Sequence, residues 1–475
     1  MTRAVPIAAV ALLAGCATGP RYVRPSVEVP AAFKEGAAVE STPPPGWRAA
    51  EPSETQRGAW WEIYRDPQLS ALEARVTVSN QTVRKGAATL KEARAMVGQA
   101  RAKYFPTVGA GAAVDRGHTA LNTSGALAGR TVTDYSMALS ASWEPDLFDK
   151  VGHAVDEATA RAEASKGDAA AIELSVHAEL ALDYFDLRQV DAQSALLQQT
   201  IDAYSEALEL VQQRFTAGVS SEYDVSEAAT QLESARSQLI DLGVSRAALE
   251  HAIATLIGVP ASEFSLPPNP AQPAPPDIPA GVPSELLQRR PDVAAAERRV
   301  AASNADVGEA TSTFFPDLVL SAARGSGSYN FGNLLTLPSR FWAVGPAIVG
   351  TLFDGGLRRE KLKASQASYE ASVADYRQVV LTSFQEVEDN LAALRVLGDE
   401  AKTEASAVTQ SQHAVELITD RYRGGASDYL SVVVNQTIAL SNERQATAIA
   451  GRRLDASLLL IKALGGSWRS YHHPY

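Results

Sequence analysis

The feature that most constrains this chain is an apolar rhythm that is written twice. From Val176, apolar or near-apolar side chains recur at Leu180, Tyr184, Leu187, Val190, Leu197, Ile201, Tyr204, Leu208, Val211 and Phe215, with polar Ser194 interrupting once. The steps alternate between four and three, so the seam lets helices pack side by side over many turns instead of around a compact core. The run from Gly152 to Phe215 makes a rod of roughly 90 Å at about 1.5 Å per residue, and after a turn a return helix reaches Leu256. No ordinary globular domain needs that length.

The second copy follows in order. Arg214-Phe-Thr-Ala-Gly218-Val-Ser220 recurs as Arg421-Tyr-Arg-Gly-Gly425-Ala-Ser427, an offset of 207 that also carries Glu179 to Glu386, Val225 to Val432 and Gly258 to Gly465. Leu147-Phe-Asp149 recurs as Leu352-Phe-Asp354 at offset 205, and Phe105-Pro106 as Phe315-Pro316 at offset 210. Matching order with small drifts marks one structural unit duplicated in tandem.

Composition supports packed helices over a bulky core: the chain is Ala-rich, with 12 Phe and 6 Trp in 475 residues. The net charge of −12 argues against nucleic acid as a partner. The one cysteine is Cys16, in Leu13-Ala-Gly-Cys16, after Arg3 and an apolar run from Ala4 to Ala14. That pattern reads as a secretory signal too short to span a bilayer. Leu-Ala-Gly-Cys resembles the bacterial lipobox, in which cleavage leaves a lipidated Cys16, and Ala17 after it points to the outer membrane. A covalent lipid on Cys16 is the one attached group expected; no cofactor or metal is.

Between the helical runs the period changes to two. In Thr131 to Trp143, Tyr135, Met137, Leu139, Ala141 and Trp143 alternate with polar or small residues, which is a strand with one apolar face. Such strands are long enough to cross an outer membrane at a tilt. Tyr135, Trp143, Tyr329, Phe341 and Trp342 lie near strand ends, where aromatic girdles sit. Four strands cannot close a barrel, and open edges in hydrocarbon leave amides unsatisfied, so several chains must contribute.

The expected layout is a lipoprotein signal (1–15), a lipid-anchored tether (16–66), a first repeat (67–258), a linker (259–284), a second repeat (285–466) and a tail (467–475). Within the repeats, strands are expected at about 106–117, 131–143, 317–328 and 341–353. Long helices are expected at about 152–216, 221–257, 356–422 and 428–464, with a further helix from about Gln68 to Lys103 and another starting at Pro291. The linker holds nine prolines from Val259 to Pro283 and forms no stable helix.

These residues together resemble a known family. Cys16-Ala-Thr-Gly-Pro20-Arg-Tyr-Val-Arg-Pro25, Trp61-Glu-Ile-Tyr-Arg-Asp-Pro67, Arg289-Arg-Pro-Asp292 with Ala296-Glu297, both Phe-Pro steps and both Arg-aromatic-x-x-Gly turns are similar to outer-membrane factors of the TolC/OprM type. Within that family they resemble lipid-anchored efflux lipoproteins of resistance-nodulation-division pumps. The resemblance implies a mostly helical protomer of a homotrimer. Its twelve-stranded outer-membrane barrel, four strands per chain, would be continued by a periplasmic α-helical coiled-coil tunnel with a small mixed α/β equatorial belt. It implies a periplasmic adaptor and an inner-membrane pump as partners, and outer-membrane lipid around the barrel.

Function in such a duct resides in a seal and a docking surface. Gly218 and Gly425 suit the left-handed residue that ends a helix, and Ser220 or Ser221, and Ser427 or Asp428, can cap the next. The resemblance adds adaptor docking at Arg214, Gly218, Ser220, Arg421, Gly425 and Ser427. It also makes Asp224, Glu222, Tyr422, Asp428 and Asn435 candidates for the gate; family members often carry an acid where Asn435 stands. As solvated carboxylates favoured by a helix dipole, the acids have an equally plain structural reading. The seven histidines share no metal-ligand spacing and no nucleophile elbow or phosphate loop is present, so catalysis is not expected. A duct for secreted protein or for metal ions remains an alternative within the family, and a non-pore periplasmic scaffold remains one outside it.

Overall fold

The structure is a computed structural model that describes residues 18–35, 59–122, 127–276, 278 and 289–466. Cys16, the signal region, the later tether and the 467–475 tail lie outside the described residues. In chain order the elements are α1 (Pro67–Ser79), α2 (Gln81–Ala102), β1 (Thr107–His118), β2 (Thr131–Trp143), α3 (Lys150–Thr216) and α4 (Glu222–Leu256). Then follow α5 (Pro291–Ser312), β3 (Asp317–Ser328), β4 (Arg340–Val349), α6 (Leu357–Arg423) and α7 (Tyr429–Ala463). The duplication is plain in the lengths: α3 and α6 both have 67 residues, α4 and α7 both have 35.

Two expectations need correction. The helix expected from Gln68 to Lys103 is two helices, because Asn80 leaves the helical conformation and restarts it. Its Oδ1 accepts from the Thr82 and Val83 amides at 2.8 and 3.0 Å, and its Nδ2 donates to the Leu256 carbonyl at 2.8 Å. The fourth strand stops at Val349 and not at Phe353. Val349 is opposite Asp317, and the next partner would be Pro316, which has no amide hydrogen to continue the ladder. Leu352 and Phe353 are left exposed beyond the sheet.

The chain divides into two compact units. One comprises the described parts of Met1–Ser26, with Thr89–Ser165 and Ala295–Tyr376. It holds one antiparallel sheet in the order β1-β2-β3-β4. Register sets its faces: Leu139 is opposite Ala110 and Arg324, and Ala322 is opposite Ala141 and Val344. One face therefore carries Val108, Val114, Leu139, Trp342, Val344 and Ile348, all exposed, an unusual number of large apolar groups without cover. The other carries Gly109, Gly111, Ser140, Ala323, Gly325 and Gly345 in its middle rows, residues with almost no side chain, together with Phe341, and with Asp115, Asp134 and Asp317 toward its ends. The outer edges of β1 and β4 are unpaired among the described residues. In the same unit the N-terminal strand-like segment is fastened: Thr18 donates to the Phe148 carbonyl at 2.6 Å, Tyr22 bonds Glu297, and Arg24 donates to Tyr376 at 3.2 Å.

The second unit comprises the described parts of Val27–Ala88, Lys166–Ala294 and Arg377–Tyr475. Its core joins Leu69, Leu72 and Val76 of α1 to Leu180, Tyr184, Phe185 and Leu187 of α3, to Ile253 and Ile257, and to Leu454 and Leu458 of α7. Asp66 starts α1 by accepting from the Gln68 and Leu69 amides. Arg290 of the Arg-Arg-Pro-Asp motif is 8% exposed and bonds Asp292, Glu386 and the Ala463 carbonyl, which fixes the linker's exit onto two long helices. Phe33 is buried, and Glu388 of α6 accepts from the Lys34 and Glu35 amides. Over residues 18–35 the expected tether is mostly exposed and is held at intervals by these contacts and by the buried Phe33.

Candidate functional site

The two hairpin turns of the second unit are built from the same parts. Each long helix ends in a glycine with positive φ, +75° at Gly218 and +73° at Gly425, a conformation that side chains with a Cβ rarely adopt. In the first turn the Val219 amide reaches back to the Arg214 carbonyl at 2.8 Å; in the second the Ala426 amide reaches the Arg421 carbonyl at 2.8 Å. Of the alternatives open from sequence, Ser221 and Asp428 are the caps. The Ser221 hydroxyl accepts from the Asp224 amide at 3.2 Å while the Asp224 carboxylate accepts from the Ser221 amide at 2.9 Å, a reciprocal capping box. Asp428 accepts from the Ser431 amide at 3.1 Å, and hydrogen bonds from the Ser431 hydroxyl and amide hold its carboxyl below the usual range. Replacing Asp428 with alanine is expected to fray the first turn of α7 by removing the acceptor of the Ser431 amide. Hydrogen exchange at Leu430 to Val432 reads this directly, and unchanged protection there would show the cap to be idle.

A clasp joins the two turns. Arg214 Nη1 donates to the carbonyls of Tyr422 at 3.2 Å and Arg423 at 3.4 Å, two groups left open at the end of α6. The same guanidinium lies 4.7 Å from the centre of the Tyr422 ring. The Ser220 and Tyr422 hydroxyls are 3.3 Å apart, and the Tyr422 and Tyr429 rings pack at 5.4 Å over buried Val211, Ala228, Val432 and Val433. Arg214, Ser220 and Tyr422 are thus brought together. Glu222 is exposed at the start of α4, and Asn435 donates to the Ser431 carbonyl at 2.8 Å one turn back on its own helix. Burial of Tyr429 among these groups pushes its hydroxyl up to about 12.

In the other unit, Tyr135 and Trp342 sit on the apolar face in the rows next to the 119–130 and 329–339 connections, with Tyr329 just past β3; Phe341, expected with them, is opposite Gly325 on the small-residue face and drops out of the girdle, because successive strand residues alternate faces. Trp143 sits in the opposite end rows and donates its indole N–H to the Tyr104 carbonyl at 3.0 Å. Further aromatics, which in the sequence stand out only as markers of the repeat, lie beyond the strand ends: Tyr104, Phe105, Phe314, Phe315 and Phe353 are exposed, and Phe148 stacks on Phe315 at 4.8 Å. Their signal was legible as an aromatic pair before proline, given twice, at Tyr104-Phe105-Pro106 and Phe314-Phe315-Pro316. Two aromatic bands separated by an apolar face are the anatomy of a membrane-spanning sheet. Among the described residues, Glu157, Asp306 and Glu309 hold carboxylate oxygens within 4.8 Å of one another, and no histidine or cysteine joins them.

The family model for outer membrane efflux proteins matches residues 72–259 and 282–466, the two repeats with the linker between them. The chain belongs to the outer membrane efflux protein family. It is 30% identical over 464 residues to the probable efflux pump outer membrane protein TtgC of Pseudomonas putida, covering 96% of this chain and 94% of TtgC. It is 29% identical over 465 residues to the outer membrane protein OprJ of Pseudomonas aeruginosa, covering 96% and 94% of the two chains. Among solved structures it is similar to the outer-membrane channel OprN, with a TM-score of 0.86 and 28% identity over 95% of this chain and 99% of that one. As a member of the outer membrane efflux protein family, this chain is an outer-membrane channel component of an efflux system. The four-stranded sheet is its membrane part, and the paired long helices are its tunnel staves.

Proposed function

We propose that three copies of the chain close a twelve-stranded barrel, and that the resulting duct passes small toxic compounds from a periplasmic adaptor and inner-membrane pump to the cell exterior. The observation that carries this reading is the sheet of β1 to β4, with a bare apolar face, two aromatic bands and unpaired edges on β1 and β4. Such edges are untenable in hydrocarbon unless another strand joins each. The relatives supply the cargo class: their names include toluene, solvent and antibiotic efflux pumps. A lipid on Cys16 would anchor the chain in the membrane its sheet spans.

The hairpin turns are the proposed adaptor-docking surface, through Arg214, Gly218, Ser220, Arg421, Gly425 and Ser427. Tyr422 is the proposed gate residue, supported by its hydroxyl contact with Ser220 and its place beneath Arg214. Glu222, Asp224, Asp428 and Asn435 would line the constriction beside it; Asp224 and Asp428 already serve as caps. Purified protein in planar bilayers is expected to show low resting conductance as a trimer. Tyr422→Phe, which removes one hydroxyl, and Asp224→Asn, which removes one charge while keeping an acceptor, should each raise it several-fold. A verified trimer that conducts nothing in any variant would refute the duct, and equal conductance in all three would refute the gate.

A further inference from the structure

The arginine clasp between the two turns has an unmatched half. The repeat relation carries Arg214 to Arg421, Phe215 to Tyr422 and Thr216 to Arg423. Within the chain, Arg214 of the first turn holds the aromatic ring and the terminal carbonyls of the second. The equivalent arginine of the second turn holds nothing: among the described residues the exposed Arg421 side chain makes no hydrogen bond or ion pair. Its natural target is equally open. Phe215 is 44% exposed, whereas its counterpart Tyr422 under Arg214 is 5% exposed. The Phe215 carbonyl takes only the Gly218 amide at 2.9 Å, while the Tyr422 carbonyl takes both the Gly425 amide and Arg214.

We infer that Arg421 makes the same clasp on a neighbouring copy of this chain, with its guanidinium over Phe215 and its N–H groups on the Phe215 and Thr216 carbonyls. The occupant is a second copy because a ring of hairpins built from tandem repeats alternates two kinds of junction. One kind lies within a chain and the other between chains, and both are bounded by the same turn sequence. A lone guanidinium and a lone exposed aromatic then become one cation–π pair. The inference rests on the reading of the protein as a closed homo-oligomer.

The two junctions are unequal in composition. Where the chain's own clasp has Tyr422 bonded to Ser220, the junction between copies sets Phe215 against Ser427, and phenylalanine has no hydroxyl to offer. Where Tyr429 packs at a tilt against Tyr422, the counterpart is Glu222; where Ala228 is buried, the counterpart is Asn435. The junction between copies is the weaker one, and the ring of tips parts there first.

The test uses the full-length protein in detergent and in planar bilayers. Light scattering first reports the oligomer; a monomer would remove the duct reading itself. In an intact oligomer, Arg421→Ala and Phe215→Ala are each expected to raise resting conductance several-fold, and the double variant to rise no further than either alone. Phe215→Tyr supplies the missing hydroxyl and is expected to lower it. A bis-maleimide spacer on the Phe215→Cys, Arg421→Cys double variant should give a ladder of covalent oligomers that neither single variant gives. Additive rises in the double alanine variant, or unaltered conductance in all of these with the oligomer intact, overturn the inference and leave the duct standing. So does cross-linking confined to single chains.

Discussion

Replacing Asp191 with alanine is expected to destabilise the protein by about 3–5 kcal/mol. Asp191 is 2% exposed at its side chain and is shared by two guanidinium groups, with Arg188 at 3.2 Å and Arg246 at 2.9 Å. It also accepts from the Asn269 amide at 2.8 Å. Arg188 is itself fully buried and donates to Gln68, to the Pro267 carbonyl and to the Tyr184 hydroxyl. Arg246 adds the Leu266 carbonyl at 2.6 Å. Asp191 thus bridges two cations that pin the proline-rich linker to α3 and α4, with Glu250 as a second partner for Arg246 at 3.4 Å. Removing Asp191 leaves Arg188 charged, desolvated and out of reach of water, which is why the loss exceeds that of a surface pair. The checks are the thermal midpoint of the solubilised protein and the rate of protease cleavage between residues 260 and 276. A midpoint within about 2 °C of wild type, with an uncut linker, would contradict the argument.

The second large effect is expected at Glu73 and His177. These side chains are 0% and 5% exposed and meet at 2.5 Å, with His177 stacked on Trp61 at 4.6 Å. Among the described residues the other oxygen of Glu73 has no hydrogen-bond partner. Changing His177 to leucine strands the carboxyl entirely and should cost about 3 kcal/mol, whereas leucine at both positions should recover most of it. Burial raises the Glu73 carboxyl from 4.5 to about 7, against the opposing pull of His177. A raised acid favours the protonated fold, so the contribution of Glu73 is complete below its ordinary value and is lost as the pH rises through about 7. Melting temperatures of wild type and Glu73→Gln, compared from about pH 5 to about pH 8, should therefore converge or cross as pH rises. Parallel curves would show that Glu73 does not titrate in that window.

The parts of this fold that were legible in the sequence are those governed by period. The four-three rhythm, the alternation in Thr131 to Trp143 and the duplicated turns located α3, α4, α6, α7 and the strands, because each reports which face an element buries. The pairings that hold these elements together were not legible. Glu73 meets His177 across 104 residues, and Arg290 meets Glu386 across 96. A charged residue on a helix reads as solvated until the fold shows what covers it. Phe33 likewise sits in a proline-rich stretch whose composition says linker, and only the fold shows it buried, next to two amides that Glu388 accepts from. At the turns, the repeat revealed the equivalence of Arg214 and Arg421, but not that one is engaged and the other free to reach outward.

The face of the sheet lined by Gly109, Gly111, Ser140, Ala323, Gly325 and Gly345 has a further consequence. In the proposed barrel this face turns toward the bore, and its middle rows are hydrogen atoms, methyl groups and short hydroxyls broken by Phe341, while Asp115 opposite Asp134 at one end and Asp317 at the other supply carboxylates. On that reading, cargo in the middle rows would meet little to grip, and the fixed charges it passes would stand at the two ends. A pipe built this way would sort by charge at its mouths alone, and finer discrimination would have to be exercised before the cargo arrives.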